Sequence, residues 1–179
     1  MSVRCALLLR AVNVGGRNRV PMAELRDLLA ERTDLRDIAT YIASGNVMAD
    51  VTGDIGEACA QVRRLIHEAF DADTPVIART HEQLVAALEA SPFPDAVADK
   101  MLHIMFLEGE PQPDAEEALR ARLQPGERIA LVGGDLWIDY GLSGAANTKL
   151  TRSVLDRALG TAGTARNILT LRKLIELTA

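Results

Sequence analysis

The stretch Arg10-Ala11-Val12-Asn13-Val14-Gly15-Gly16-Arg17-Asn18-Arg19-Val20-Pro21 sets three arginines, two asparagines and a glycine pair between an apolar run and a proline that opens a helix. Guanidinium and carboxamide groups donate hydrogen bonds, and adjacent glycines present backbone N–H groups from conformations closed to other residues. The following helix adds the positive end of its dipole. An anion, phosphate or carboxylate, is the natural guest of such a concavity. The same residue types also satisfy the backbone of turns, so a purely structural role stands beside the functional one.

Other chemistries find little footing. Gly16 is followed by Arg17-Asn18 and not by the Lys-Ser/Thr ending of a P-loop, and the third glycine of a dinucleotide fingerprint is missing. His67, His81 and His103 show no i, i+4 pairing, so neither a metal nor another cofactor is indicated. Ser44 lacks a glycine at the elbow spacing before it, which leaves no marked nucleophile. The titrating groups nearest to candidate loops are Lys149 and Tyr140, and an enzyme acting on an anionic ligand through one of them is the rival reading.

The elements that must position these residues follow from apolar periodicity and punctuation. Residues 3–12 read as a strand, a helix opens with Pro21 at its first position, and strands at 37–43 and 46–51 flank a tight Ser44-Gly45 turn. A helix over 55–70 and a strand over 74–79 complete the first half. The order repeats: strand 101–107, helix 114–123, strands 128–132 and 136–140 joined through Gly133-Gly134, helix 149–159 closed by Gly160, and strand 163–166. Each half is followed by a helix, over 80–90 with capping-box spacing of Thr80 and Gln83, and over 168–177 with Asn167 as cap. The expected fold class is α+β: two ferredoxin-like βαββαβ units in tandem, each an antiparallel sheet with helices on one face. The boundary falls at Ser91-Pro92-Phe93-Pro94-Asp95, giving domains of residues 1–91 and 96–179.

In this topology the end of the first strand and the turn between strands two and three share one sheet edge. Arg10, Asn13, Gly15, Gly16 and Asn18 should therefore meet Ser44, Gly45 and Asn46. In the second half the same geometry sets the loop ending at Lys149 beside Arg166 and Asn167, a second basic cluster.

Net charge is −5, yet residues 1–20 carry four arginines and no acid, and residues 141–179 carry six basic residues against two acids. An acidic body with basic ends repels polyanions over most of its surface and admits a small anion locally, which makes nucleic acid a weak partner. Nucleic-acid modules of this element order also stack bases on central-strand aromatics. The first half has none, and the second offers only His103, Met105 and Trp137, with Trp137 better read as core. The apolar run Cys5 to Leu9 is closed by Arg4 and Arg10, too short for a signal or membrane segment. The expectation is a soluble cytoplasmic protein with no membrane contact and with Cys5 and Cys59 as reduced, packed thiols.

The chain resembles the bacterial family known as domain of unknown function 1697. The resemblance rests on Leu8 to Met22, Tyr41-Ile42-Ala43-Ser44-Gly45-Asn46-Val47, Pro92-Phe93-Pro94, Lys149-Leu150-Thr151 and Thr164-Ala165-Arg166-Asn167. It implies two α-β plait units and no defined activity, cofactor or catalytic residue. Where members commonly continue Arg-Asn with Trp-Asn, this chain has Ile168-Leu169. The reading that results is a protein holding a small phosphorylated or carboxylated ligand at its basic, Asn/Gly-rich edge.

Overall fold

A computed structural model describes residues 1–179 and divides into two units, Met1–Leu84 with Leu174–Ala179, and Val85–Lys173. The first unit runs β1 (Ser2–Leu9), α1 (Met22–Arg32), β2 (Arg36–Tyr41), β3 (Asn46–Thr52), α2 (Ile55–Phe70) and β4 (Val76–Thr80), followed by α3 (His81–Glu89). Its sheet has the order β2-β3-β1-β4 with every neighbour antiparallel. The second unit repeats this with β5 (Leu102–Leu107), α4 (Ala115–Arg120), β6 (Arg128–Val132), β7 (Asp135–Asp139), α5 (Arg152–Leu159) and β8 (Gly163–Asn167), then α6 (Ile168–Thr178), in the order β6-β7-β5-β8. Each is the ferredoxin-like plait that the element order predicts.

Alternation along β1 explains the first core. Cys5, Leu7 and Leu9 join Leu25 and Leu29 of α1, Val47, Ala49 and Val51 of β3, and Val62 and Ile66 of α2 in one buried cluster. Ala6 and Leu8, on the other face of β1, are fully buried as well, so the strand reads as a continuous apolar run. Leu25 and Leu29, one helical turn apart, each contribute about 1.5–3 kcal/mol of burial. Asp54 caps α2 by accepting from the Glu57 N–H at 2.7 Å, and Asp71 ends that helix in the left-handed conformation.

In the second unit Met105, Leu107, Ile129, Leu136 and Ile138 face Leu119, Leu155 and Leu159 of the helices. Gly133 and Gly134 close the β6–β7 hairpin with φ of 61° and 87°, as a type I′ turn requires. The Pro92-Phe93-Pro94 segment is fixed by Arg128. Its guanidinium lies 4.5 Å from the centroid of the Phe93 ring and binds both Asp95 and the buried Asp139.

The two ladders correspond in register, apart from a bulge in β2 between Arg36 and Ala39 that β6 lacks. Arg36 faces Asp50 as Arg128 faces Asp139, Arg4 faces Asp50 as Leu102 faces Asp139, and Cys5 faces Thr80 as His103 faces Asn167. Thr80 and Asn167 then cap the helices that follow. The Gln83 N–H donates to Thr80 Oγ1 at 3.3 Å, with Gln83 Oε1 accepting from the Thr80 N–H, and the Thr170 N–H donates to Asn167 Oδ1 at 2.9 Å. No helix is long and apolar enough to cross a membrane.

Candidate functional site

The glycine loop and the β2–β3 connection do meet at one edge of the first sheet. β1 stops at Leu9 and not at Val12, because Ala11 takes a φ of 53° and Asn13 one of 56°. Before that bend the Thr74 hydroxyl, fully buried, holds both backbone groups of Arg10: it accepts from the N–H at 2.9 Å and donates to the carbonyl at 2.7 Å. After the bend Val14 to Arg17 forms a tight turn in which the Arg17 N–H donates to the Val14 carbonyl, with Gly15 and Gly16 at φ of 60° and 74°. Asn18, at φ 48°, returns the chain toward Val20, and its Nδ2 donates to the Ala11 carbonyl at 3.3 Å.

Asn13 ties the two loops together. Its Oδ1 accepts from the Val20 N–H at 2.9 Å, and its Nδ2 donates to the Val20 carbonyl at 2.9 Å and across to the Ala43 carbonyl at 2.7 Å. The β2–β3 connection spans residues 42–45, two residues longer than a Ser44-Gly45 turn alone, since Ile42 leaves the strand at a φ of 50°. Gly45 packs beneath the bend: its carbonyl accepts from the Leu9 N–H at 2.8 Å. Asn46, wholly buried, donates from Nδ2 to the Tyr41 carbonyl at 2.9 Å and to Ser44 Oγ at 3.3 Å.

The expected cluster of Arg10, Asn13, Gly15, Gly16, Asn18, Ser44 and Asn46 is thus assembled, with a division of labour that the residue types do not announce. The carboxamides of Asn13 and Asn46 face the backbone. Exposed on the rim are Arg17, Arg19, Val14 and Ile42. Of the six non-glycine residues with positive φ, Ala11, Asn13, Asn18 and Ile42 all lie here, and a left-handed β-branched residue is a true outlier. Two hollows of this unit, both lined by Leu35, lie at the other end of β2.

The second cluster does not close in the same way. Arg166 and Trp137 both face Ile104 across neighbouring strands and are buried, whereas Lys149 is exposed. Burial pulls the Arg166 guanidinium down to about 10, still charged at neutral pH, and it donates to Thr164 Oγ1 at 2.8 Å and to the Ala165 carbonyl at 2.9 Å. Asn167 caps α6 as expected. The helix expected from Lys149 begins at Arg152, after two 3-10 turns over residues 141–147, with Thr151 as its cap. Trp137 is 1 % exposed and lies on the sheet face opposite His103 and Met105, so these side chains form no common stacking platform. Tyr140, 7 % exposed, has its phenol pushed up to about 12, chiefly by burial.

Two comparisons bear on this architecture. The conserved bacterial protein SP0830 from Streptococcus pneumoniae is similar over 100% of both chains, at 23% identity and a TM-score of 0.80, a likeness of fold. No relative was found among curated proteins. The family model described as "Protein of unknown function (DUF1697)" matches residues 1–137, which contain the whole rim, and the chain belongs to that family.

Proposed function

We propose that the rim binds a small anionic ligand bearing a phosphate or carboxylate. The observation that carries this reading is the concentration of left-handed residues there, above all Ile42 and Ala11, where glycine would relieve the strain. Such strain persists where a rigid, pre-formed surface is useful, and the Asn13 bridge supplies the rigidity. Arg10, Arg17 and Arg19 bring the charge, and the Gly15-Gly16 turn brings backbone donors open to solvent. Asn13, Asn18, Ser44 and Asn46 act by holding the two loops in place. Of the second cluster, Arg166 is buried and Asn167 is a helix cap, so the reading rests on the first. Catalysis through Lys149 or Tyr140 draws little support from an exposed amine and a phenol that titrates near 12.

The test is thermal denaturation against phosphorylated and carboxylated metabolites and nucleotides at fixed ionic strength. A ligand at a hundred times its Kd adds about 2.7 kcal/mol to the folded state. Arg17→Ala/Arg19→Ala should keep the far-UV circular dichroism and lose that stabilisation. Ile42→Gly should gain about 1 kcal/mol of stability while binding more weakly, because the released strain also releases the rim. A broad panel in which no compound stabilises the wild-type chain overturns the proposal.

A further inference from the structure

The rim offers apolar side chains as well as cations. Val14 is 56% exposed and Ile42 48%. Val14 follows Asn13 and Ile42 precedes Ala43, so an apolar residue stands on either side of the 2.7 Å bond that ties the two loops.

The placement of Val14 relative to charge is fixed by the turn. Val14 and Arg17 are the directly opposed residues of a two-residue hairpin whose centre is Gly15-Gly16, at φ of 60° and 74°. Opposed residues of an antiparallel pair send their side chains to one face, with Cβ atoms about 4.5–5.5 Å apart. The Val14 isopropyl group therefore lies beside the root of the Arg17 side chain. Turn chemistry asks for glycines at the centre and makes no demand for valine at the base. Neither Arg17 nor Arg19 takes part in an ion pair, although the chain carries 25 acidic residues against 20 basic ones.

An inorganic anion would engage the guanidinium and leave the valine in water. We propose that the ligand of the rim is amphiphilic: an aliphatic chain ending in a phosphate or carboxylate, its anion on Arg17 and its first carbons on Val14, toward Ile42. This deepens the anion reading and rests on it. The arginine stem, itself apolar, extends the surface on which the chain lies.

Ethyl phosphate and hexyl phosphate, titrated as monomers at equal ionic strength into the 15N-labelled full chain, test it through the amide signals of Gly15, Gly16 and Arg17. A methylene lying on one surface sheds part of its water and is worth about twofold in affinity, where full burial gives about fourfold. Hexyl phosphate, with four more methylenes, should bind about fifteenfold more tightly than ethyl phosphate. Val14→Ser should cut that ratio to about fourfold or less with far-UV circular dichroism retained; if the variant unfolds, the ratio in the wild-type chain decides. Hexyltrimethylammonium, with the same tail and the opposite charge, should leave the three signals unmoved. Equal affinity for the two esters overturns the amphiphile and leaves the anion reading standing, whereas silence toward both removes the anion reading and this inference with it. Sedimentation with phosphatidic acid vesicles, without any response to monomeric hexyl phosphate, would make the rim a bilayer contact and also overturn the proposal.

Discussion

Gly45→Ala is the sharpest probe of how the rim is held. A Cβ at this position would lie 2.7 Å from Leu9 Cβ and 2.7 Å from Val12 Cγ2, and the backbone φ is +88°. Leu9 and Val12 are 0% and 1% exposed, and Leu9 Cβ is fixed to the β1 backbone, so neither neighbour can swing away. The left-handed conformation costs an L-residue about 1–2 kcal/mol, and overpacking a tight core adds about 1–3 kcal/mol. The expected destabilisation is therefore about 3–4 kcal/mol. Gly15→Ala supplies the control: its φ is +60°, yet no atom lies within 4 Å of the added carbon. Only the conformational part applies there, about 1–2 kcal/mol. Native-state hydrogen exchange at Leu7 and Val47 reads the first unit directly and should register a difference of about 2 kcal/mol between the variants. Equal losses would refute the reasoning, because they would mean that the β2–β3 turn is not locked beneath the bend after β1.

Two further outcomes are expected. Arg128→Ala removes guanidinium bonds of 2.6 and 3.1 Å from Asp139, whose side chain is 3% exposed and keeps only the Gly141 N–H at 3.0 Å. With Arg128 itself partly solvated, the loss should be about 2–3 kcal/mol, followed in denaturant by Trp137 fluorescence, whereas Asp95→Ala, at an exposed carboxylate, should be far milder; comparable losses would count against a special role for Asp139. The second concerns acid. The folded-state pKa of His103 is depressed by burial, so below the unfolded value of about 6.5 the unfolded chain binds the proton first and stability falls with pH until the folded value is reached. This slope should disappear in His103→Gln, measured by denaturant midpoints between pH 4 and 8.

The fold was legible because its signals are local and mutually consistent. Gly133-Gly134, the Thr80/Gln83 box, Asn167 and Gly160 each sit where backbone geometry demands them, and the apolar periods between them leave little choice of element. The topology then brought Asn13 to Ala43. Two things were hidden. Ala11 and Ile42 carry no turn signature, so the early end of β1 and the longer β2–β3 connection come from tertiary contacts overriding propensity. The direction of a side chain was hidden too: strand alternation places Trp137 on the face opposite His103, and the asparagine amides could satisfy either ligand or backbone until the partners were known.

Membership of residues 174–179 in the first unit has a consequence for biosynthesis. His81 Nδ1 and Thr178 Oγ1 lie 3.1 Å apart in that unit, although about ninety residues of translation separate Leu84 from Leu174. On the ribosome the first sheet can form long before the helical turn that completes its unit has emerged. The nascent chain therefore passes through an interval in which the second unit is synthesised while His81 still lacks Thr178, so the first unit gains this contact only after residues 85–173 have been made.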